Sequence, residues 1–314
     1  MRILFLTSAH NSLNQRLFVE LGERGHKITV CVAATSEAII AAAAREAPEL
    51  ILAPFLKIAV PGAVWSRHLC LIVHPGIKGD RGPSSLDWAI ANHERRWGVS
   101  ILEAAEELDA GPIWASHEFA LDENPPTKSS LYRNQVTEAA VRGVLEAVAR
   151  IESGQFQSGA WRPQKLADAA PNESAALRGR MRPPMRQADR AIDWDRDTTG
   201  RIVRTIRAAD SAPGVLGALR GKSCFFYGAH EEERLKGLPG QILARRDGAI
   251  CVGTVDGAVW ISHLKAKDEA EPGGARRRLG RGRAGAGFYI SKIKLPATRS
   301  WDRCFAACPR PAAD

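Results

Sequence analysis

Leu71-Ile72-Val73-His74-Pro75-Gly76, continuing into Ile77-Lys78-Gly79-Asp80-Arg81-Gly82-Pro83, is the stretch on which the fold turns. A short apolar run of this kind reads as a strand buried on both faces. It delivers a histidine to its carboxyl end, and Pro75-Gly76 then turn the chain away. Further on, Leu108-Asp109-Ala110-Gly111-Pro112 supplies an acidic turn. A buried strand that ends in a histidine, with a carboxylate brought back by a later turn, is a way to build a proton-transfer pair.

Working outward, the segments before this strand alternate between the two periodicities. Arg2 to Thr7, His26 to Ala33, Leu50 to Ala53 and Leu69 to Val73 read as strands. Between them, Asn14 to Arg24 and Ser36 to Ala47 carry helical spacing, the first stopping at Gly25 and the second opening on a Ser cap. The alternation predicts an α/β protein with a Rossmann-like, doubly wound, mostly parallel sheet. Ligands of such sheets bind at the carboxyl ends of the strands. The loop Ser8-Ala9-His10-Asn11-Ser12, the turn Pro54-Phe55-Leu56-Lys57 and His74 all sit at such ends and should converge on one crevice. The first loop has no Gly-x-Gly-x-x-Gly and the chain has no Walker sequence, which argues against a dinucleotide or nucleoside triphosphate.

Downstream, Ser85 to His93 reads as a helix, and Trp97 to Glu103 and Ile113 to Leu121 as strands. Lys128 to Ile151 reads as one long amphipathic helix. Residues 1–160 then form a first domain, and 161–190, rich in Pro, Ala and Arg, a linker. Residues 191–264 hold a short helix and strand candidates at Ser223–Tyr227, Gly240–Arg245, Ala249–Thr254 and Ala258–Leu264. Asp247-Gly248 and Asp256-Gly257 mark their turns, so a smaller C-terminal β-barrel-type domain is expected. Residues 265–314 form a basic, low-complexity tail.

Composition narrows the class. The net charge of +9 is concentrated in that tail, where 12 Lys and Arg face 5 Asp and Glu. The body is nearly neutral, which argues against nucleic acid as a partner. The six cysteines form no Cys-x-x-Cys pair, so neither a disulfide framework nor a zinc site is expected, and no metal. No apolar run has the length of a membrane span, and the N-terminal run is too short for a signal peptide. A cytoplasmic protein is expected.

Val73-His74-Pro75-Gly76, Arg81-Gly82-Pro83, Trp88-Ala89-Ile90, Gly98-Val99-Ser100-Ile101 and Leu108-Asp109-Ala110-Gly111-Pro112-Ile113 resemble the 10-formyltetrahydrofolate-dependent formyltransferases. The resemblance covers residues 1–160, and 191–264 look like the small domain that follows in methionyl-tRNA formyltransferase. Asn11-Ser12-Leu13-Asn14-Gln15-Arg16, with the stretch from His74 to Pro83, is similar to the hydrogenase-maturation HypX (HoxX) family.

The resemblance implies folate-dependent transfer or release of a formyl group, with His74 and Asp109 catalytic. The family's asparagine two residues before the histidine is Ile72 here, which has no group to polarise a formyl oxygen. The implied folate-binding residues are Gln15, Arg16, Phe55, Leu56, Lys57, Gly76, Asp80, Arg81 and Leu108. Asp80 and Arg81 read equally well as braces of their loop, and Gln15 and Arg16 as a solvated helix start. The implied cofactor is 10-formyltetrahydrofolate or tetrahydrofolate, with coenzyme A as a candidate acceptor and hydrogenase-maturation proteins as candidate partners. HypX-like proteins continue into a crotonase-like second half that these 314 residues do not contain; together the halves are thought to make the carbon monoxide ligand of nickel–iron hydrogenase. Two other functions fit the residues: a catalytically inactive folate-binding regulatory module, and a tRNA formyltransferase.

Overall fold

The computed structural model describes residues 1–168, 177–219 and 221–267. The basic tail beyond residue 267, with Cys304 and Cys308, lies outside them. The first unit is built on a six-stranded sheet. Its strands are β1 (Arg2–Thr7), β2 (Lys27–Val32), β3 (Leu50–Phe55), β4 (Cys70–His74), β5 (Arg96–Glu103) and β6 (Ile113–Ala120). They lie in the order β2-β1-β3-β4-β5-β6. The first four are parallel to one another, β5 is antiparallel to β4 and β6 is antiparallel to β5, so β5 is the reversed strand of the six. The β1/β3 contact is where the strand order reverses, so the carboxyl ends of β1, β3 and β4 open on one crevice.

Parallel strands covered on both faces must be apolar throughout, and β1 is: Ile3, Leu4, Phe5 and Leu6 are all buried. Ile3, Phe5, Leu52 and Leu71 pack on one face with α1 (Ser12–Glu23) and α6 (Thr137–Glu152). Leu4, Leu6, Ile51 and Cys70 pack on the other with α2 (Ser36–Glu46) and the short α3 (Gly62–Trp65). Burial pushes the Cys70 thiol up to about 12, with a contribution from the nearby Glu103 carboxylate. Among the described residues, no helix is long and apolar enough to cross a membrane.

The expected helix from Lys128 to Ile151 is interrupted. α5 (Lys128–Leu131) passes through a π-helical turn, Tyr132–Val136, before α6 begins. The turn inserts one extra residue, so the buried positions step by five from Leu131 to Val136, a single break in an otherwise helical pattern that periodicity alone passes over. The turn aims Tyr132 at the crevice, where its hydroxyl accepts from Asn11 Nδ2 at 3.2 Å and its ring meets Phe55 edge-on.

The second unit packs α7 (Thr199–Ala208) against five antiparallel strands: β7 (Val215–Leu219), β8 (Lys222–Glu232), β9 (Ile242–Arg246), β10 (Ala249–Gly253) and β11 (Ala258–Ala266). Their order is β7-β8-β11-β10-β9, so the hydrogen-bonded ladder leaves β7 and β9 as edges. Ile202, Val203 and Ile206 of α7 meet Phe226, Val252, Val259 and Ile261 of the sheet. Asp256 caps α7, its Oδ1 accepting from Thr199 N at 2.8 Å. Asp247-Gly248 turns β9 into β10 with both residues at positive φ, the signature of a tight hairpin.

The stretch expected to be a linker is bound to the first unit. Gln164 pairs with Ile113 beside β6, and Met181 bridges to Arg81. From residue 177 to 190 the chain lies as a strap along the Gly79–Gly82 loop and α4 (Ser85–Ala91).

Candidate active site

β4 ends at His74, whose side chain is 4% exposed and lies between two carboxylates. Nε2 is 3.2 Å from Asp80 Oδ2, and Nδ1 is 3.4 Å from Asp109 Oδ2. Pro75-Gly76 make this possible by turning the chain sharply after the histidine. Trp97 Nε1 donates to the Pro75 carbonyl, Ser85 Oγ lies 2.8 Å from the same oxygen, and Ser100 Oγ donates to the Gly76 carbonyl.

Gly76 has no tolerance for a side chain. A Cβ there would lie 2.4 Å from His74 Nε2 and 2.6 Å from Asp80 Oδ2. Gly76→Ala is therefore expected to wedge the histidine away from its carboxylate and to destabilise the protein by about 1–3 kcal/mol. Urea unfolding measures this, and an unchanged midpoint would mean that the loop gives way freely.

Asp80 is 1% exposed and fully engaged. Its Oδ2 accepts from Ser85 Oγ at 2.6 Å, and its Oδ1 from Arg182 Nε at 2.5 Å. Burial raises its pKa, but hydrogen bonds from His74, Ser85 and Arg182 outweigh burial and hold the carboxyl below its usual value. An ionised carboxylate only accepts, so the ring nitrogen facing it is the one that carries hydrogen. Nδ1 is then the atom left to exchange a proton with whatever lies beside Asp109.

Asp109 sits in the left-handed region at φ 54°, and Gly82 N donates to its Oδ2 at 3.1 Å. The turn is pressed onto β5: a Cβ on Gly111 would fall 1.9 Å from the Glu103 carbonyl oxygen. Asp-x-Gly is thus required by close approach as well as by chemistry.

Asp109 forms one end of a cleft of about 80 Å³ between the loop after β3 and the Ala104–Asp109 segment. Its other walls are mostly apolar, among them Leu56, Val60, Ile72, Ala104 and Leu108, with Glu106 as a second acidic lining residue. Ile72, in place of the family's asparagine, is therefore a wall of this cleft. A larger cavity of about 270 Å³ lies beyond β6, but its acid Glu146 is already paired with Arg150. The His74 pair is elsewhere, so the smaller cleft is the one with chemistry.

The residues expected to bind folate separate into groups. Leu56 and Leu108 line the cleft with Asp109. Phe55 meets Tyr132 beside it, Lys57 sits over the Phe55 ring at 5.7 Å, and Lys57 N is tied to Ser8 Oγ. Gly76 and Asp80 pack against His74, with Asp80 on the Nε2 edge away from Asp109. Arg81 pairs with Glu107 across the loop. Gln15 and Arg16 lie on the exposed face of α1, with Arg16 paired to Glu138 and Glu20. Tyr132, Trp97 and Arg182 are in the site without any local pattern in the sequence to mark them.

Two family models match this architecture: "Formyl transferase" over residues 31–148 and "Formyl transferase, C-terminal domain" over 184–274. The chain belongs to the formyl transferase family. It is 46% identical over 265 residues to the hydrogenase maturation factor HoxX of Bradyrhizobium diazoefficiens, a match covering 84% of this chain and 44% of that protein. The crystal structure of HypX from Aquifex aeolicus in complex with tetrahydrofolic acid superposes with a TM-score of 0.77 at 44% identity, covering 85% of this chain and 44% of that one. Methionyl-tRNA formyltransferase of Thermotoga neapolitana is 28% identical over 201 residues, which is 63% of this chain and 59% of that protein. The chain thus spans less than half the length of the HoxX and HypX proteins it matches.

Proposed function

We propose that this chain binds tetrahydrofolate in the Asp109 cleft and handles the formyl group of 10-formyltetrahydrofolate for the maturation of nickel–iron hydrogenase, as a cytoplasmic protein. The observation that carries the reading is the His74–Asp109 contact at 3.4 Å, with Asp109 at the end of an apolar cleft. The cleft suits a flat heteroaromatic ring with polar edges: mostly apolar side chains for its faces, Glu106 as an acceptor in its wall, and the Asp109 carboxylate beside His74 where the reacting group would lie.

The chemistry needs one proton moved. A nucleophile, water or a thiol, attacks the formyl carbon and loses a proton. The folate nitrogen leaves and gains one. His74 Nδ1, with Asp109 beside it and Asp80 fixing the opposite nitrogen, is placed to take and return that proton. With water the products are formate and tetrahydrofolate; with a thiol, such as coenzyme A, they are a formyl thioester and tetrahydrofolate. Ile72 supplies no donor to the tetrahedral oxyanion, so stabilisation has to come from His74 or from the nucleophile's own environment. The finer role, supply of the carbon monoxide ligand together with the crotonase-like half of the longer relatives, belongs to the same proposal.

Ile72 also favours a second reading, a folate-binding module without turnover. Calorimetric titration with tetrahydrofolate, followed by a formyl-release assay with and without coenzyme A, separates the two. Binding with turnover is the expected result. Binding alone selects the second reading, and no binding removes both.

A further inference from the structure

We infer that Arg182, carried by the strap between the two units, is a positioning residue for His74, acting through Asp80; the inference rests on the reading of His74 as the proton-transfer group. Arg182 is 3% exposed and stands 102 positions from Asp80 in the chain. Its Nε donates to Asp80 Oδ1 at 2.5 Å, its guanidinium lies 5.0 Å from the centre of the Trp97 ring, and Nη2 is 3.6 Å from Glu94 Oε1. Trp97 in turn donates to the Pro75 carbonyl, next to His74. The guanidinium thus touches both supports of the histidine, the carboxylate under its ring and the indole that pins its loop.

The strap is built to put Arg182 there. Arg182 N donates to the Arg81 carbonyl at 2.9 Å, and Arg81 N to the Arg180 carbonyl at 3.1 Å. Gly82 allows the approach, since a Cβ on it would fall 2.1 Å from the Arg182 carbonyl oxygen. Gly179 does the same on the other side, where a Cβ would be 2.2 Å from Asp80 N. Trp88 Nε1 donates to the Pro183 carbonyl, and Met185 N to Ser84 Oγ.

Without the guanidinium, Asp80 would be a buried carboxylate with only Ser85 and the histidine to satisfy it. It would protonate or draw in water, and the ring would lose its fixed acceptor. Orientation of the ring therefore depends on a residue that lies where the first unit leads into the second. The groups facing His74 are Asp80 and Asp109, and those facing Asp80 beyond it are Ser85 and Arg182, with Glu94 behind Arg182. Removing Arg182 changes the charge on only one edge of the ring.

The test uses the full chain with Arg182→Met and Arg182→Lys, read by nuclear magnetic resonance of the His74 ring, by tetrahydrofolate titration and by formyl release. A slowly exchanging His74 Nε2 proton is expected in the wild type, lost in Arg182→Met and partly restored in Arg182→Lys. Formyl release should fall about 10- to 100-fold in kcat, with tetrahydrofolate affinity within about threefold of wild type, because Arg182 lies away from the cleft. If Arg182→Met fails to fold, Arg182→Gln, which keeps an N–H donor toward Asp80 without the charge, carries the same ring measurement. An unchanged His74 signal with unchanged kcat overturns the inference while leaving the formyl reading intact. A wild type that releases no formyl group, but whose His74 proton still depends on Arg182, overturns the formyl reading and leaves the positioning role standing.

Discussion

Replacing His74 by glutamine is expected to lower kcat for formyl release or transfer by about 10²–10⁴-fold, the usual worth of a positioned acid–base group. At about 1.4 kcal/mol per decade, that is about 3–5 kcal/mol of lost transition-state stabilisation. Glutamine can still donate an N–H toward Asp80, so the buried carboxylate keeps a partner. It cannot take up a proton at the position of Nδ1, which faces Asp109 at 3.4 Å. Tetrahydrofolate affinity should change by less than about threefold, because Leu56, Val60, Ile72, Ala104 and Leu108 line the cleft and His74 does not. Absorbance assays of tetrahydrofolate release at saturating substrate, beside calorimetry, give the two quantities separately. Loss of less than about fivefold in kcat would remove His74 as the acid–base group.

Much of the first unit is legible in the chain because its physics is local. Strands covered on both faces have to be apolar runs, and Ile3–Leu6 within β1 and Leu50–Phe55 are such runs. His74 can be found because a strand end and Pro75-Gly76 frame it, and Asp109 because a positive φ next to a glycine pressed onto β5 leaves a readable turn. What sequence cannot show is contact at long range. Arg182 looks like one arginine among several in a Pro- and Arg-rich stretch, and only the folded chain sets it against Asp80. Asp80, read evenly as ligand contact or brace, is buried beneath the ring. The π-helical turn that aims Tyr132 at Asn11 and Phe55 shows in the sequence only as one five-residue step between Leu131 and Val136. β7, Val215–Leu219, escapes notice because it is five residues long with a glycine in the middle. For Arg182 and Asp80 the missing information is a partner far away in sequence.

The same kind of contact governs how the two units are held, and Asp87 is where it concentrates. Asp87 is 8% exposed on α4, and its Oδ1 accepts from Arg190 Nη2 at 2.6 Å and from Lys128 Nζ at 3.1 Å. Arg190 is buried on the strap, and its only other side-chain hydrogen bond among the described residues is from Nη1 to the Met185 carbonyl. Lys128 also donates to the Ala212 carbonyl at the start of the second unit's sheet. Asp87→Ala therefore leaves a buried guanidinium without its counter-charge, and the expected cost is about 3–5 kcal/mol. Against a total stability of about 5–15 kcal/mol, that is a large fraction. Asp87→Asn keeps an acceptor without the charge and should cost less. Asp87→Leu with Arg190→Met removes both ends of the buried pair and should recover most of the loss, since Lys128 is open enough to turn to water. Urea unfolding of the four proteins, with limited proteolysis of the strap, orders them as wild type, then the double variant, then Asp87→Asn, then Asp87→Ala. An Asp87→Ala protein as stable as wild type would show that the Arg190 charge finds another partner and that the strap is held by its backbone contacts alone.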